Sequence, residues 1–264
     1  MSLTFLKLGG SLITDKTRPY TVRADKLAAL AAEIAVALKA DAGLQLVLGH
    51  GSGSFGHAAA SKYGTRKGVS GQEAWHGFAE VWFQASMLNR LVVEALHQAG
   101  LPVVNFSPAA SVTARAGKVS VWDTRQIQAA LGNGLLPLIH GDVIFDEVLG
   151  GTILSTEDLF EYLAGQLQPR RVLLAGMESG VWADFPQRTR LLDEITPASF
   201  SKQSVMLGGT AGADVTGGMQ SKVTGMLALV EQARDLEILI FSGEQQGNVQ
   251  RALGGENPGT RLHC

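Results

Sequence analysis

Five short apolar runs in this sequence each end at a glycine, and that pattern narrows the possible folds more than any other. The run 3–8 meets Gly9-Gly10, 44–48 meets Gly49, 135–140 meets Gly141, 172–175 meets Gly176 and 237–242 meets Gly243. Continuous apolar runs of this length suit strands covered on both faces, as in a parallel sheet. Glycines at the strand ends would line up along one edge, where open α/β sheets take their ligands. Helical patterns lie between the runs. Leu27, Leu30, Ala31, Ile34 and Leu38 share one face of a helix starting near Ala24, with Asp25 in its first turn. Met219, Val223, Met226, Leu227 and Val230 repeat the pattern after Gly217-Gly218. The alternation predicts an α/β fold on a mostly parallel sheet. Residues 184–212 break the rhythm and read as a hairpin or excursion.

Bulk properties bound the rest. With 264 residues, 45% hydrophobic and 17% charged, the chain can bury the core of one large or two closely joined domains. A net charge of −2 supplies no basic field for nucleic acid or an acidic membrane surface. The single cysteine, Cys264, permits no internal disulfide, which suits a reducing cytoplasm. The opening apolar run is too short for a signal sequence, and no 18-residue apolar stretch exists. The expectation is a soluble cytoplasmic protein with no nucleic-acid or membrane partner.

The stretch Gly49-His50-Gly51-Ser52-Gly53-Ser54-Phe55-Gly56-His57 places four glycines in eight residues directly after an apolar run. Such a backbone can approach a ligand with its N–H groups outward, and a following helix would add its positive end. This is a loop for an anion. Gly51, Gly53 and Gly56 also spell Gly-x-Gly-x-x-Gly, but no β-run leads into Glu73 or Glu80, where a dinucleotide site needs its acid. No Walker loop occurs, and the nearest match to a nucleophile elbow has Ser52 in place of its first glycine.

Further charge gathers at the other glycine-ended runs. Lys7 sits inside the first apolar run, where an ammonium group is costly without an anionic partner. Lys16 follows nine residues later, either at the same anion or as an ordinary loop lysine. Asp142, after His140-Gly141, could orient a lysine, hold metal-bound water or cap a turn. Asp214-Val215-Thr216-Gly217-Gly218-Met219 opens the helix carrying Lys222, a second arrangement suited to phosphate. Two glycine-rich anion loops and three lysines fit phosphoryl transfer, where positioning and charge neutralisation are most of the catalysis.

On these motifs the chain resembles the amino acid kinase superfamily: Lys7-x-Gly9-Gly10-Ser11, the glycine loop, and Asp214-x-Thr216-Gly217-Gly218-Met219 before Lys222. Lys16, the Ser54-Phe55-Gly56-His57 ending and His140-Gly141-Asp142 are most similar to its subgroup acting on isopentenyl phosphate. The likeness runs through Gly259-Thr260-Arg261-Leu262. It implies a three-layer α/β/α sandwich, with residues 1–170 an acceptor-binding half and 171–264 a nucleotide-binding half of a homodimer. The implied reaction moves the ATP γ-phosphoryl group, with Mg²⁺, to isopentenyl phosphate. His57 would donate to the acceptor phosphate, with Gly51 and Gly56 holding it through the backbone. Lys7, Lys16 and Lys222 would neutralise charge, tethered by Asp142, with Gly9, Gly10, Ser11, Ser52 and Gly218 along the same path. The chain departs from the family with Ser155-Thr156-Glu157-Asp158 in place of Ser-Gly-Asp-Asp. It departs again with Gly176-Met177-Glu178-Ser179-Gly180-Val181 in place of Thr-Asp-Val-Asp-Gly-Val. Thr156 is taken as an acceptor-side candidate and Gly180 as a nucleotide-side one. A kinase of a phosphonate such as fosfomycin, a carboxylate kinase and a non-catalytic phosphate sensor are the rival readings.

Trp75, Phe78 and Trp82 share a helical face with Phe83 beside them. The stripe is either plain core, or Phe78 and Phe83 form the far wall around a five-carbon tail.

Overall fold

A computed structural model describes residues 2–203 and 218–264, and of residues 201–203 the backbone alone. Residues 214–217, part of the second anion motif, and the end of the 184–212 excursion lie outside the described residues. In chain order the elements are β1 (Ser2–Leu8), α1 (Gly10–Ile13), α2 (Ala24–Ala40), β2 (Leu44–His50), α3 (Gly53–Tyr63), α4 (Gly71–Gln98), β3 (Val103–Asn105) and α5 (Pro108–Ser111). There follow β4 (Val112–Arg115), β5 (Lys118–Trp122), α6 (Arg125–Gly132), β6 (Leu136–His140), β7 (Asp142–Asp146), β8 (Gly150–Leu154) and α7 (Thr156–Leu167). The last are β9 (Arg171–Gly176), β10 (Glu194–Ile195), α8 (Pro197–Gln203), α9 (Gly218–Gln232), β11 (Glu237–Ser242), α10 (Asn248–Leu253) and β12 (Gly259–Leu262).

The five glycine-ended runs become β11-β9-β1-β2-β6, neighbours in that order and all parallel, at the centre of an eight-stranded sheet. β3 extends one edge and β12-β10 the other, with β12 antiparallel to β11. Because side chains alternate along a strand, each central strand feeds both faces. Phe5, Val47, Ile139, Val172 and Ile240 meet α6, α7 and α9 on one side. Leu6, Leu48, Leu138, Leu173 and Phe241 meet α2, α4 and α10 on the other. That double burial is why the runs read as continuously apolar, and it makes the chain a three-layer α/β/α sandwich.

A second, four-stranded sheet, β5-β4-β7-β8, stands beside the first. It covers a small core of Ala59, Val69, Phe78, Val81 and Val143 between α3, α4 and β7. The 184–212 excursion begins as a hairpin, closed by an antiparallel bridge from Trp182 to Leu191, then runs into β10 and α8. No helix among the described residues is long and apolar enough to cross a membrane.

Candidate active site

The glycine-bearing ends of the central strands open on one cavity of about 1000 Å³. It brings together Lys7, Lys16, His57, Asp142, Thr156 and Lys222, with Gly9, Gly10, Ser11, Gly51, Ser52, Gly56, Gly180 and Gly218 also in its wall. These positions are far apart in sequence; the parallel sheet gathers them because every strand ends on the same edge.

Lys7 alternates with Leu6 and Leu8 on β1, so its side chain leaves the face that carries α7 and α9. There the Glu157 carboxylate, in the first turn of α7, takes the Lys7 ammonium in an ion pair. The same carboxylate lies 3.7 Å from Lys222 on α9. Burial alone would raise the Glu157 pKa, but Lys7 and Lys222 outweigh it and hold it at about 2. Burial pushes Lys7 down, opposed by Glu157 and assisted by Lys222. The result is a cation–anion–cation row facing the cavity, nearly buried at Lys7 and Glu157 and open at Lys222, with one net positive charge available to a ligand.

Glu157, and not Asp142, therefore bridges the lysines. Asp142 is buried in the same cavity wall with other partners: its Oδ1 accepts from the Val143 N–H at 2.8 Å and its Oδ2 lies 3.4 Å from His140 Nε2. The helix start that carries Glu157 is legible in the sequence, since Ser155-x-x-Asp158 spells a capping box, although its meeting with the lysines is not. The structure has that box, with Ser155 accepting from the Asp158 N–H. Thr156 is also placed by this turn. It is fully buried, and its hydroxyl donates to the His50 carbonyl at 2.6 Å, joining the start of α7 to the end of β2.

The backbone donors differ from expectation as well. The Gly51 N–H donates to Leu8 O at 3.0 Å and the Gly56 N–H to Ser52 O at 3.1 Å, so neither is aimed at a ligand. Among the described residues, the N–H groups of Gly10, Ser11, Ser52 and Gly53 are those around the two loops that no protein acceptor takes. The two loops touch backbone to backbone: a Cβ on Gly51 would lie 2.9 Å from Gly10 N, and one on Gly10 would collide with the Gly53 backbone. Glycine here allows two pairs of N–H groups to come close enough to share one anion. The N-terminus of α3 adds its dipole to the same spot. His57 stands exposed on α3 and Lys16 exposed on the loop after α1, both in the cavity wall.

The aromatic stripe is not the far wall. Phe83 is 51% exposed and away from the cavity, and Phe78 is buried in the small core behind it. Val81 and Ala85, on the adjoining face of α4, line the cavity together with Ile153. Phe78 and Phe83 lie five residues apart, too far round the helix for one surface.

Replacing Glu157 tests the row through pH. A carboxyl held at about 2 when folded, against an ordinary 4.5, stabilises the fold fully above about pH 4.5 and loses that effect as pH falls toward 2. The melting-temperature gap between the parent and Glu157→Gln is expected to be widest near neutrality and to close in acid. A gap independent of pH would remove the ion pairs from the account.

The chain is similar to known proteins along nearly its whole length. The sequence pattern of the amino acid kinase family matches residues 2–242. The chain is 32% identical to an isopentenyl phosphate kinase of Methanocaldococcus jannaschii over 98% of both sequences. It is 34% identical to one from Methanothermobacter thermautotrophicus, again over 98% of both. A solved isopentenyl phosphate kinase structure superposes with a TM-score of 0.83 at 32% identity, covering 98% of this chain and 99% of that one.

Proposed function

We propose that this chain, which belongs to the amino acid kinase family, transfers the γ-phosphoryl group of ATP to isopentenyl phosphate, giving isopentenyl diphosphate and ADP. The observation that carries the reading is the Lys7–Glu157–Lys222 row facing the same cavity as His57 and two pairs of open backbone N–H groups. Phosphoryl transfer needs little covalent help from a protein; it needs the two phosphates held in line and their charge neutralised. Lys7 and Lys222 serve the transferring group, and Glu157 keeps their ammonium groups apart and aimed. Gly10, Ser11, Ser52 and Gly53 hold phosphate oxygens through their N–H groups. His57 donates to the acceptor phosphate, which brings its own nucleophilic oxygen and requires no strong base. Lys16 covers the cavity from its loop, and Gly180 and Gly218 line the nucleotide path.

Residues 1–170 form the acceptor-binding half in this reading and 171–264 the nucleotide-binding half. The nucleotide enters as its magnesium complex. The described residues contain no group of three or more His, Cys, Asp or Glu side chains able to hold a metal. We place the enzyme in the cytoplasm as a homodimer. Phe83 and Met87, one turn apart on α4, stand 51% and 46% exposed, which supports an apolar contact between copies. Phe83→Glu is expected to halve the mass measured by light scattering; an unchanged mass would move the contact off α4.

ADP release measured over isopentenyl phosphate, dimethylallyl phosphate, fosfomycin, UMP and acetylglutamate tests the assignment. The highest kcat/KM is expected for isopentenyl phosphate, and a clear preference for any of the last three would replace it. The tail pocket gives a graded prediction. Val81→Ala should shift preference toward geranyl phosphate, by no more than the ~1–3 kcal/mol that a methylene or two is worth. Phe83→Ala should leave the ratio of the two acceptors unchanged, and equal shifts from both variants would refute the wall assignment.

A further inference from the structure

Two stacked imidazoles lie beneath the glycine loop, and no step above uses them. His50 closes β2 and His140 closes β6; they are register partners, so their side chains leave the same face of the sheet. Their ring centroids are 5.3 Å apart with planes 8° from parallel, and both rings are buried. His50 Nδ1 lies 3.1 Å from the Gly51 carbonyl oxygen, and its Nε2 lies 3.2 Å from Asn89 Oδ1 on α4. The Asp142 carboxylate sits beside His140, not His50. Burial, followed by the neighbouring His140, pushes His50 down to about 3, so its ring is neutral and carries a single N–H.

A neutral ring meets the Gly51 carbonyl favourably only when that proton is on Nδ1. Nε2 is then an acceptor, and Asn89 meets it with its NH2 group after a half-turn of the amide. The consequence reaches the cavity through peptide geometry. The Gly51 carbonyl and the Ser52 N–H belong to one planar trans peptide and point in opposite directions. Drawing the carbonyl inward toward His50 turns the Ser52 N–H outward, where no protein acceptor takes it.

We propose that His50 is a positioning residue: as its Nδ1–H tautomer, selected by the Gly51 carbonyl, it pins the Gly51–Ser52 peptide so that the Ser52 N–H faces a bound phosphate. The phosphate part of this inference rests on the kinase reading above; the tautomer part does not.

The test uses the full chain labelled with ¹⁵N-imidazole histidine. The ¹⁵N spectrum near neutral pH is expected to show His50, assigned by its loss in a His50→Gln variant, protonated at Nδ1 and bare at Nε2. Two substitutions carry the functional arm. Asparagine places its NH2 where Nδ1–H stood, and glutamine places its own where Nε2 stood. His50→Asn is expected to keep kcat/KM within about 3-fold of the parent, and His50→Gln to lose about 10-fold, the effect of one misplaced hydrogen bond. An Nε2-protonated His50, or a glutamine variant as active as the asparagine one, would overturn the proposal. Should one variant fail to fold, loss of the signal in the other supplies the same assignment, and the spectrum of the parent still decides the tautomer. Absence of kinase activity in the parent would instead count against the assigned reaction.

Discussion

Alanine at position 57 is expected to lower turnover of isopentenyl phosphate by about 10²-fold or more, the usual effect of removing one preorganised donor from a developing charge. His57 is exposed on α3 in the cavity wall, so its loss should leave the melting temperature nearly unchanged. His57→Gln should keep more activity than alanine, because an amide still donates. Steady-state kinetics on the three proteins decide the matter. An alanine variant that turns over like the parent would remove His57 from the acceptor site.

Lys7 and Lys222 carry the second large effect. Substituting either by methionine, which keeps the stem and removes the charge, should lower kcat by about 10²–10³-fold, since both are assigned to charge that builds up in the transition state. Melting temperature should move far less. Lys7→Met removes a nearly buried cation from Glu157 but leaves that carboxylate 3.7 Å from Lys222. Lys222 is 35% exposed, and an ion pair with an exposed partner stabilises a fold only slightly. Calorimetry beside the kinetics separates the two quantities. Parallel losses of stability and kcat in both variants would assign the lysines to packing instead.

These expectations also show which parts of the molecule the sequence discloses. Hydrophobic runs disclose the sheet, because a strand buried on both faces cannot avoid being apolar, and all five runs appear as its central strands. The glycine loops disclose the cavity edge for a related reason: Gly10, Gly51 and Gly53 are forced by backbone meeting backbone, and that constraint is written in one residue type. Lys7 is legible because an ammonium group inside an apolar strand demands a partner.

The identity of that partner is a tertiary fact. Asp142 and Glu157 both follow central-sheet or neighbouring strands within a few residues, and only the chain's path across the edge decides that Glu157 meets the lysines. Which N–H groups are open is equally hidden. Gly51 and Gly56 look like donors until Leu8 and Ser52 supply acceptors for them. The second sheet was not legible, because its short strands alternate less regularly and expose Val121 and Phe145. Its presence decides between the two readings of the stripe on α4: it buries Phe78 beneath β7 as core and turns Val81, not Phe83, toward the cavity.

The most direct test of the whole account is ³¹P NMR of the purified protein incubated with ATP, magnesium and isopentenyl phosphate. The account predicts that the acceptor's single phosphate resonance is replaced by the coupled pair of a diphosphate ester, with ADP appearing in equal amount. ADP accompanied by inorganic phosphate, with the acceptor resonance unchanged, would contradict it.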